Sequence, residues 1–294
     1  MEAFLQYFIV GLLEGGLYAL VGVTIVLVYK ATHVASLAHG QIVAFGALFF
    51  YVFYTPLGLP LILALVLAFA ATCLLGLVIE RLAMRPLIGQ PQFAAFLITF
   101  AVFIGLDGVL NIILSGTVIN FPDFLPPGNF NIAQANVPLA QFVSFITVLI
   151  VFGLLALFFR FTKVGLNMLA TAENHQLAQS TGINVKKVFS FVWGLSALVA
   201  TVSGMATANI MEISYALPYL GIKGLIVALF GGLDSVLGAL VGGLVLGILE
   251  NVAAGYIDPL VGGGVKDVAA YAMLLLILLI KPYGLFGLVK IERI

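Results

Sequence analysis

The sequence predicts an all-α protein of the membrane: a polytopic bundle of about eight to nine transmembrane helices, with a short helix on the cytoplasmic side. The first reason is composition, because 63% of the 294 residues are hydrophobic and 8% are charged. Soluble domains average roughly 45–50% apolar and about 25% charged residues. The second is that the apolar residues form runs of about 20, the length of a spanning helix. The third is that Lys and Arg lie in short stretches between those runs. Residues 1–294 are therefore expected to form a single membrane domain.

The apolar runs predict nine successive segments, of which eight are clear spans. They cover residues 5–29, 37–54, 60–79, 93–114, 138–159, 188–211, 215–233, 236–254 and 268–280. The seventh is the exception, since Pro218, Gly221 and Gly224 interrupt it and Lys223 places a charge in it. We expect it to be a short or broken span.

The distribution of basic residues predicts the orientation of these segments. With the N-terminus outside and nine crossings, all of the 12 Lys and Arg residues except Lys223 and Lys266 fall on the cytoplasmic side, as the positive-inside rule requires. This orientation places the C-terminus inside and the loop 115–137 outside. The chain starts with Glu2 and has no basic residue before its first apolar run, so we expect this run to be a retained span and not a cleaved signal peptide.

The longest cytoplasmic interruption is the polar segment Arg160–Lys187, which has basic residues at both ends. Within it, Thr171–Thr181 is predicted to be a short helix that begins with its first threonine as N-cap and has Glu173 near the positive end of the helix dipole. Gly182 is expected to end this helix in the left-handed conformation, with Ile183 packing back on it. Such a helix suits the docking of a soluble partner; the alternative is an ordinary solvated loop with one helical turn.

Ionisable residues inside spans are candidates for a transport pathway, because burying a charge in a membrane costs several kcal/mol. Glu14 is the deepest of them, and Gly11, Gly15 and Gly16 around it permit close approach of a helix or a substrate. The alternative is a carboxylate that is buried against a neighbouring helix.

Other polar residues extend the set of pathway candidates. His39 and Gln41 begin the second span, although a lone histidine there is more often a hydrogen-bonded structural group. Asp107 and Asn111 lie four residues apart on one face of the fourth span. The remaining candidates close the sixth span on its outer side and are Asn209 and Glu212. Small-xxx-small spacing across residues 238–247 favours helix packing over a direct substrate role.

Several kinds of site are not indicated by the sequence. The single cysteine, Cys73, excludes an intrachain disulfide, and His33, His39 and His175 have no second ligand at metal spacing. Motifs such as HExxH and GxSxG are missing, and so is the phosphate-binding motif GxxxxGK[ST]. We therefore expect no catalytic, cofactor-binding or metal-binding residues, and any work driven by ATP would be done by another chain. The net charge of zero argues against nucleic acid as a partner.

Three separate stretches resemble one family, the permeases of branched-chain amino acid ABC importers. The N-terminal stretch reads GLLEGGLYALVGVTIVLVYKATHVASLAHGQIVAFGA, and the central stretch reads RFTKVGLNMLATAENHQLAQSTGINVKKV. The third comprises GLIVALFGGLDSVLGALVGGLVLGILENV followed by KPYGLFG. The stretches occur in the family's order, and the likeness covers nearly the whole chain.

The resemblance implies a permease subunit of a bacterial inner-membrane importer. Such a subunit pairs with a second permease, either a related chain or another copy, and with two ATP-binding subunits that carry ATP and magnesium. A periplasmic binding protein supplies the substrate. The residues that match the family's ATPase-docking segment are Thr171, Ala172, Glu173, Asn174, Ala178, Gly182 and Ile183.

The resemblance leaves the substrate open. The family often has Asn-Phe-Ala-x-Gly followed by Glu or Asp, where this chain has SLAHGQ at residues 36–41. Branched-chain amino acids are the first expectation, and urea, short amides or aromatic acids are the alternatives within the family. A more distant alternative is a channel or an ion-coupled secondary transporter that uses Glu14 as its coupling carboxylate.

Overall fold

The structure is a computed structural model that describes residues 2–122, 128–132, 135–173, 178, 180 and 182–287, with only the backbone at Ile132, Ala135, Ala172 and Glu173. The α-helices are α1 (Glu2–Thr32), α2 (His39–Tyr54), α3 (Leu61–Ile79), α4 (Gln92–Leu114), α5 (Leu139–Phe161), α6 (Lys163–Glu173), α7 (Val185–Met211), α8 (Leu220–Gly231), α9 (Val236–Val261) and α10 (Val265–Ile280). A π-helical turn, Glu80–Met84, and a 3₁₀ turn, Arg85–Leu87, continue α3.

The long helices confirm a polytopic helical membrane protein. Within the described residues, six helical segments are long and apolar enough to cross a membrane: α1, α3 with its two turns, α4, α5, α7 and α9. The helix α2 is apolar but has 16 residues. The total number of crossings stays a prediction.

The seventh predicted segment is broken, as expected. Its first part is a 3₁₀ turn, Leu217–Tyr219, with Pro218 near the start, where the missing N–H of proline does no harm. Only the 12 residues of α8 are α-helical, which is about 18 Å of helix and well short of a hydrocarbon core of about 30 Å.

The loop 115–137 differs from the prediction because it contains β-structure. Strand β1 (Asn129–Ile132) pairs antiparallel with β2 (Ala135–Pro138), and Asn129 faces Pro138. The side chain of Gln6 pairs with the backbone of Asn136: its Nε2 donates to the carbonyl over 3.1 Å, and its Oε1 accepts from the N–H over 2.9 Å. The amide of Gln6 thus satisfies backbone groups of an edge strand. The sequence analysis missed this hairpin because it relied on apolar runs of helical length.

Backbone contacts divide the chain into two units. The first comprises residues 1–26, 125–152 and 223–294, and the second comprises residues 27–124 and 153–222. The sequence-based expectation of a single membrane domain stays a prediction.

In the first unit, glycines bring α1 and α9 into close contact. A Cβ atom on Gly247 would lie 2.3 Å from the carbonyl oxygen of Gly11, and one on Gly15 would lie 2.5 Å from that of Gly243. Real Cβ atoms do not approach so closely, so only glycine fits at these positions. The packing role predicted for residues 238–247 is confirmed for this pair of helices.

In the second unit, α7 packs against α2 and α3 in the same way. A Cβ atom on Gly204 would lie 2.0 Å from the carbonyl oxygen of Val43, and one on Gly76 would lie 2.8 Å from the Ala197 side chain. Trp193, one turn before Ala197 in α7, is fully buried. The core of this unit is therefore a close backbone approach of three helices.

We predict that Gly204→Ala destabilises the protein, because the added methyl group would collide with a backbone carbonyl that cannot rotate away. The expected loss is about 1–3 kcal/mol, typical of overpacking, and it should lower the thermal unfolding midpoint of the purified protein in detergent. Gly105→Ala is the matched control, since a Cβ atom on this glycine of α4 meets nothing within 4 Å. Equal midpoints for the two variants would contradict the packing described here.

Candidate functional site

In the first unit, Glu14 of α1 is held by two donors from other helices. Its Oε2 accepts a hydrogen bond from Asn251 Nδ2 of α9 over 2.8 Å and one from Lys266 Nζ of α10 over 2.9 Å. The carboxylate of Glu14 is 20% exposed, and Lys266 is 38% exposed. Of the two arrangements considered for Glu14, the structure has the carboxylate paired with neighbouring helices; a role in transport stays a prediction.

A second ion pair lies in the same unit and is more deeply buried. Lys223 Nζ of α8 is 3.0 Å from Glu250 Oε2 and 3.3 Å from Asp267 Oδ1. Glu250 is fully buried and Lys223 is 18% exposed. The ammonium group also lies 5.2 Å from the centroid of the Tyr18 ring, within the range of a cation–π interaction.

The two ion pairs use neighbouring residues of the same two helices. Glu250 and Asn251 are consecutive in α9, and Lys266 and Asp267 are consecutive in α10, yet in each case one serves Glu14 and the other serves Lys223. We call these groups together the ion-pair cluster. Its side chains connect α1, α8, α9 and α10.

Sequence analysis found only part of this cluster. Glu14 was a candidate, whereas the two lysines were assigned to the outer side by the positive-inside count alone. A second signal was present, because Lys223 lies within one predicted apolar segment, residues 215–233, and Glu250 lies within the next, residues 236–254. Charges in apolar helices pair with one another, so the two acids and two bases could have been matched, although not assigned to partners.

In the second unit, the candidates Gln41, Asp107 and Asn111 come together. Gln41 Nε2 of α2 donates to Asp107 Oδ1 of α4 over 2.9 Å, and Asn111 Nδ2 donates to Asp107 Oδ2 over 2.9 Å. Asn111 is exposed and Gln41 is fully buried. The carboxylate of Asp107 thus links the interior of α2 to an exposed polar position on α4.

The other candidates of this unit lie elsewhere. His39 is fully buried, and its ring centroid is 5.1 Å from that of Trp193, so its main neighbour is another ring. Glu212 is exposed and takes a positive φ of 62° as the residue after α7, and Asn209 is half-buried one turn earlier. Among the described residues, no hydrogen bond joins Asn209 or Glu212 to Asp107.

The end of the predicted docking helix has the expected geometry. Gly182 has a φ of +86°, and the N–H of Ile183 donates to the carbonyl of Ala178 over 3.0 Å. This six-to-one hydrogen bond after a left-handed glycine is that of a Schellman motif. Ile183 also packs against the apolar cluster that contains Ala178. The prediction for these C-terminal positions is confirmed.

The predicted start of that helix is wrong. Thr171 lies inside α6, where its Oγ1 donates to the Asn167 carbonyl over 2.8 Å. Thr162 is the residue in the N-cap position of α6, and its Oγ1 accepts from the N–H of Gly165 over 3.0 Å. Thr162 therefore caps α6, and Thr171 is an interior residue of α6 and not an N-cap. Ala172 and Glu173 lie in α6 with only their backbone described, and Asn174 lies outside the described residues.

We predict that the two lysines of the ion-pair cluster contribute unequally to stability. Lys223→Met leaves the Glu250 carboxylate buried without its cation and should cost about 3–5 kcal/mol. Lys266→Met should cost about 1 kcal/mol or less, because this pair is partly exposed and Glu14 keeps Asn251. Thermal unfolding in detergent compares the two variants.

A double variant provides the control for this prediction. Lys223→Met combined with Glu250→Leu removes both charges, so most of the stability lost in Lys223→Met should return. An equal loss for the two lysine variants, or no recovery in the double variant, would contradict the assignment.

Comparison with known proteins places the chain among transport permeases. The family model described as "Branched-chain amino acid transport system / permease component" matches residues 7–280. The permease protein BraD of the high-affinity branched-chain amino acid transport system of Pseudomonas aeruginosa is 29% identical, covering 99% of this chain and 98% of its own length.

Two further relatives agree with this match. LivH of Escherichia coli K12, described as a permease protein of the same kind of system, is 27% identical over 99% of this chain and 98% of its own length. A probable branched-chain amino acid transport permease protein LivH from Methanocaldococcus jannaschii is 30% identical over 94% of this chain and 90% of its own length. These relatives are transport permeases and not enzymes. By the extent of the family match, the chain is a multi-pass membrane protein that belongs to the branched-chain amino acid transport permease family.

Proposed function

We propose that this chain is the membrane subunit of an ATP-driven importer and moves branched-chain or closely related amino acids across the inner membrane of a bacterium. The observation that carries the proposal is the family match along residues 7–280, which includes the segments between the helices as well as the helices. The relatives named for branched-chain amino acid transport align over nearly their full length.

The proposed importer is built from at most five different subunits, and this chain is one of them. A second permease subunit, either a related chain or another copy, completes the membrane part. Two ATP-binding subunits hold ATP and magnesium and perform the hydrolysis, and a periplasmic binding protein delivers the substrate. In this arrangement the chain crosses the membrane nine times, with its N-terminus outside and its C-terminus in the cytoplasm.

The ATP-binding subunits dock, in this proposal, on the segment 160–187. Its docking residues are Thr171, Ala172, Glu173, Asn174, Ala178, Gly182 and Ile183. The hydrogen-bonded Schellman end at Gly182 supports this role, because a short helix transmits a displacement only if its end is fixed to the next element. The side chain of Asn184 caps α7 immediately afterwards, accepting from the N–H of Lys187 over 3.1 Å.

The substrate pathway, in this proposal, includes Glu14, His39, Gln41, Asp107, Asn111, Asn209 and Glu212. Alternating access moves the substrate past these residues without covalent chemistry. The conformational change requires that loaded binding protein and ATP each bind the two states with different affinity.

The secondary-transporter alternative is less well supported by the contacts of Glu14. A coupling carboxylate must exchange its proton or cation during transport, whereas Glu14 is neutralised by Lys266 at 2.9 Å and bonded by Asn251. Uptake by liposomes that contain the purified chain alone, driven by a proton or sodium gradient, would favour this alternative and count against the importer.

We predict that the cognate binding protein binds leucine, isoleucine and valine more tightly than urea, acetamide or benzoate. The measurement is a calorimetric titration of the purified binding protein with each compound. Tighter binding of one of the other compounds would leave the proposal of an importer in place and identify a different substrate. This result is independent of the contacts within the chain, because the binding protein selects the substrate before the permease does.

We also predict that Gly182→Pro uncouples ATP hydrolysis from transport. Proline fixes φ near −65°, whereas this position needs +86°, so the Schellman end cannot form. In proteoliposomes with all subunits, stimulation of ATPase activity by leucine-loaded binding protein should fall at least about fivefold, the lower range of typical coupling free energies.

Gly58→Pro is the matched control for the docking segment. Gly58 is also left-handed, with a φ of +62°, and a Cβ atom there meets nothing within 4 Å, but it lies in the turn between α2 and α3. This variant should still co-purify with the ATP-binding subunits. Normal stimulation in Gly182→Pro would contradict the proposed docking role.

A further inference from the structure

The cytoplasmic end predicted for α3 has an unusual backbone. The N–H of Arg85 donates to the carbonyl of Glu80, five residues earlier, and Glu80–Met84 forms a π-helical turn. Single π-helical turns within α-helices are rare and occur frequently at functional sites. The turn widens the helix directly before the chain leaves it through the 3₁₀ turn Arg85–Leu87.

The side chains of this turn form a three-residue clamp with α7. Arg85 binds Glu80 in a bidentate manner, with Nε 3.0 Å from Oε1 and Nη2 2.9 Å from Oε2. Nη2 also donates to Ser190 Oγ over 2.7 Å, and this hydroxyl donates to Glu80 Oε2 over 3.1 Å. Glu80 is only 1% exposed, so its charge depends on these partners. We call Glu80, Arg85 and Ser190 the clamp.

The residue that follows these turns, Ile88, also contacts the proposed docking segment through apolar side chains. Ala178, Val185 and Phe189 form a buried cluster, and Ile88 and Ile183 pack against it. Ile88 follows the 3₁₀ turn after α3, whereas Ala178 and Ile183 frame the Schellman end. The region 80–91 is therefore attached to the docking segment and α7 twice, by the clamp and by this apolar cluster.

The apolar attachment borders an unfilled space. A cavity of about 220 Å³ is lined by the end of α1 at Thr32 and His33, by the turn at Met84 and Ile88, and by Phe189. Interiors are normally close-packed. Phe189 thus belongs to the apolar cluster and also lines this pocket.

From these contacts we infer that the region 80–91, held by the clamp, transmits movement of the docking segment to α3 and α4. The inference rests on the proposed function, since it assigns the path by which a displacement received at residues 160–187 reaches the membrane helices. The clamp residues are positioning residues: Ser190 joins the turn to the start of α7, and Arg85 joins it to the end of α3. Without the clamp, the apolar cluster would be the remaining attachment described between the region 80–91 and the docking segment with α7.

Ser190→Ala tests the inference with little risk to folding, because Glu80 keeps its bidentate arginine and alanine is a better helix former. In proteoliposomes with the ATP-binding subunits and leucine-loaded binding protein, basal ATPase activity should be unchanged. Stimulation by the binding protein and uptake of leucine should both fall by at least about fivefold. Ser203→Ala is the control: Ser203 is another serine of α7, where it is fully buried, and its hydroxyl lies outside the clamp. This control should behave as the parent protein.

Spin labels provide a second readout, a distance, which a loss of stability alone would not change. Arg81 and Lys187 are exposed, and labels on Arg81→Cys and Lys187→Cys, in a background with Cys73→Ala, report the distance between the turn and the start of α7. In the parent complex this distance should be the same without nucleotide and after vanadate trapping of ATP. With Ser190→Ala added, it should differ between the two states, because the turn no longer follows the docking segment.

The outcomes separate the inference from the proposed function. A distance that changes in the parent complex, or full stimulation in Ser190→Ala, would overturn the inference and leave the importer intact. Failure of the parent chain to bind any ATP-binding subunit would overturn the proposed function itself. Equal losses in Ser190→Ala and Ser203→Ala would also overturn the inference, because the effect would then belong to α7 in general.

Discussion

A carboxylate that is shielded from water remains ionised only if a cation or several hydrogen bonds replace its hydration. Three carboxylates among the residues that the structure describes obey that constraint, two in the first unit and one in the second. Glu14 and Glu250 are matched by lysines in the first unit, and Glu80 is matched by Arg85 in the second. Since the pairs of Glu14 and Glu250 join separate helices, the need to neutralise charge also fixes which elements of the first unit lie together.

Close packing of glycine is the second constraint, and it works together with the first. Without water to drive helices together inside a membrane, association depends on close contact and hydrogen bonds. The glycines of α1 and α9 permit that contact, and the approach of these backbones allows Asn251 to reach Glu14. A larger residue at Gly247 would therefore affect a hydrogen bond as well as packing.

Features that depend on neighbouring residues could be predicted from the sequence. The fourth span was expected at residues 93–114 and is found at Gln92–Leu114, and the left-handed Gly182 was expected from its place after a helix. Both follow from apolar length or local backbone rules. The preference for threonine as an N-cap is met in this segment. It did not distinguish Thr162, which caps α6, from Thr171, which lies inside α6, since both threonines precede stretches that can be helical.

Pairings between distant residues could not be predicted in the same way. Glu14 and Lys266 are 252 positions apart, and no local pattern shows that α10 supplies the cation. The clamp was missed for a related reason, because Arg85 counted only as one more cytoplasmic charge. Family resemblance assigned the docking segment by its residues, whereas its attachment through Ile88 required the packed structure.

The alternation of partners in α9 and α10 has a consequence for how these two helices can slide. If α10 shifted its register by one residue, by a rotation of about 100° with a rise of about 1.5 Å, the carboxylate of Asp267 would come towards the place of the Lys266 ammonium group beside Glu14, and attraction would become repulsion. The opposite charges of the consecutive residues Lys266 and Asp267 thus forbid registers of α10 that the packing of its side chains alone would tolerate. Since α9 and α10 each contribute to both pairs, a change of register between these helices would disturb both pairs together.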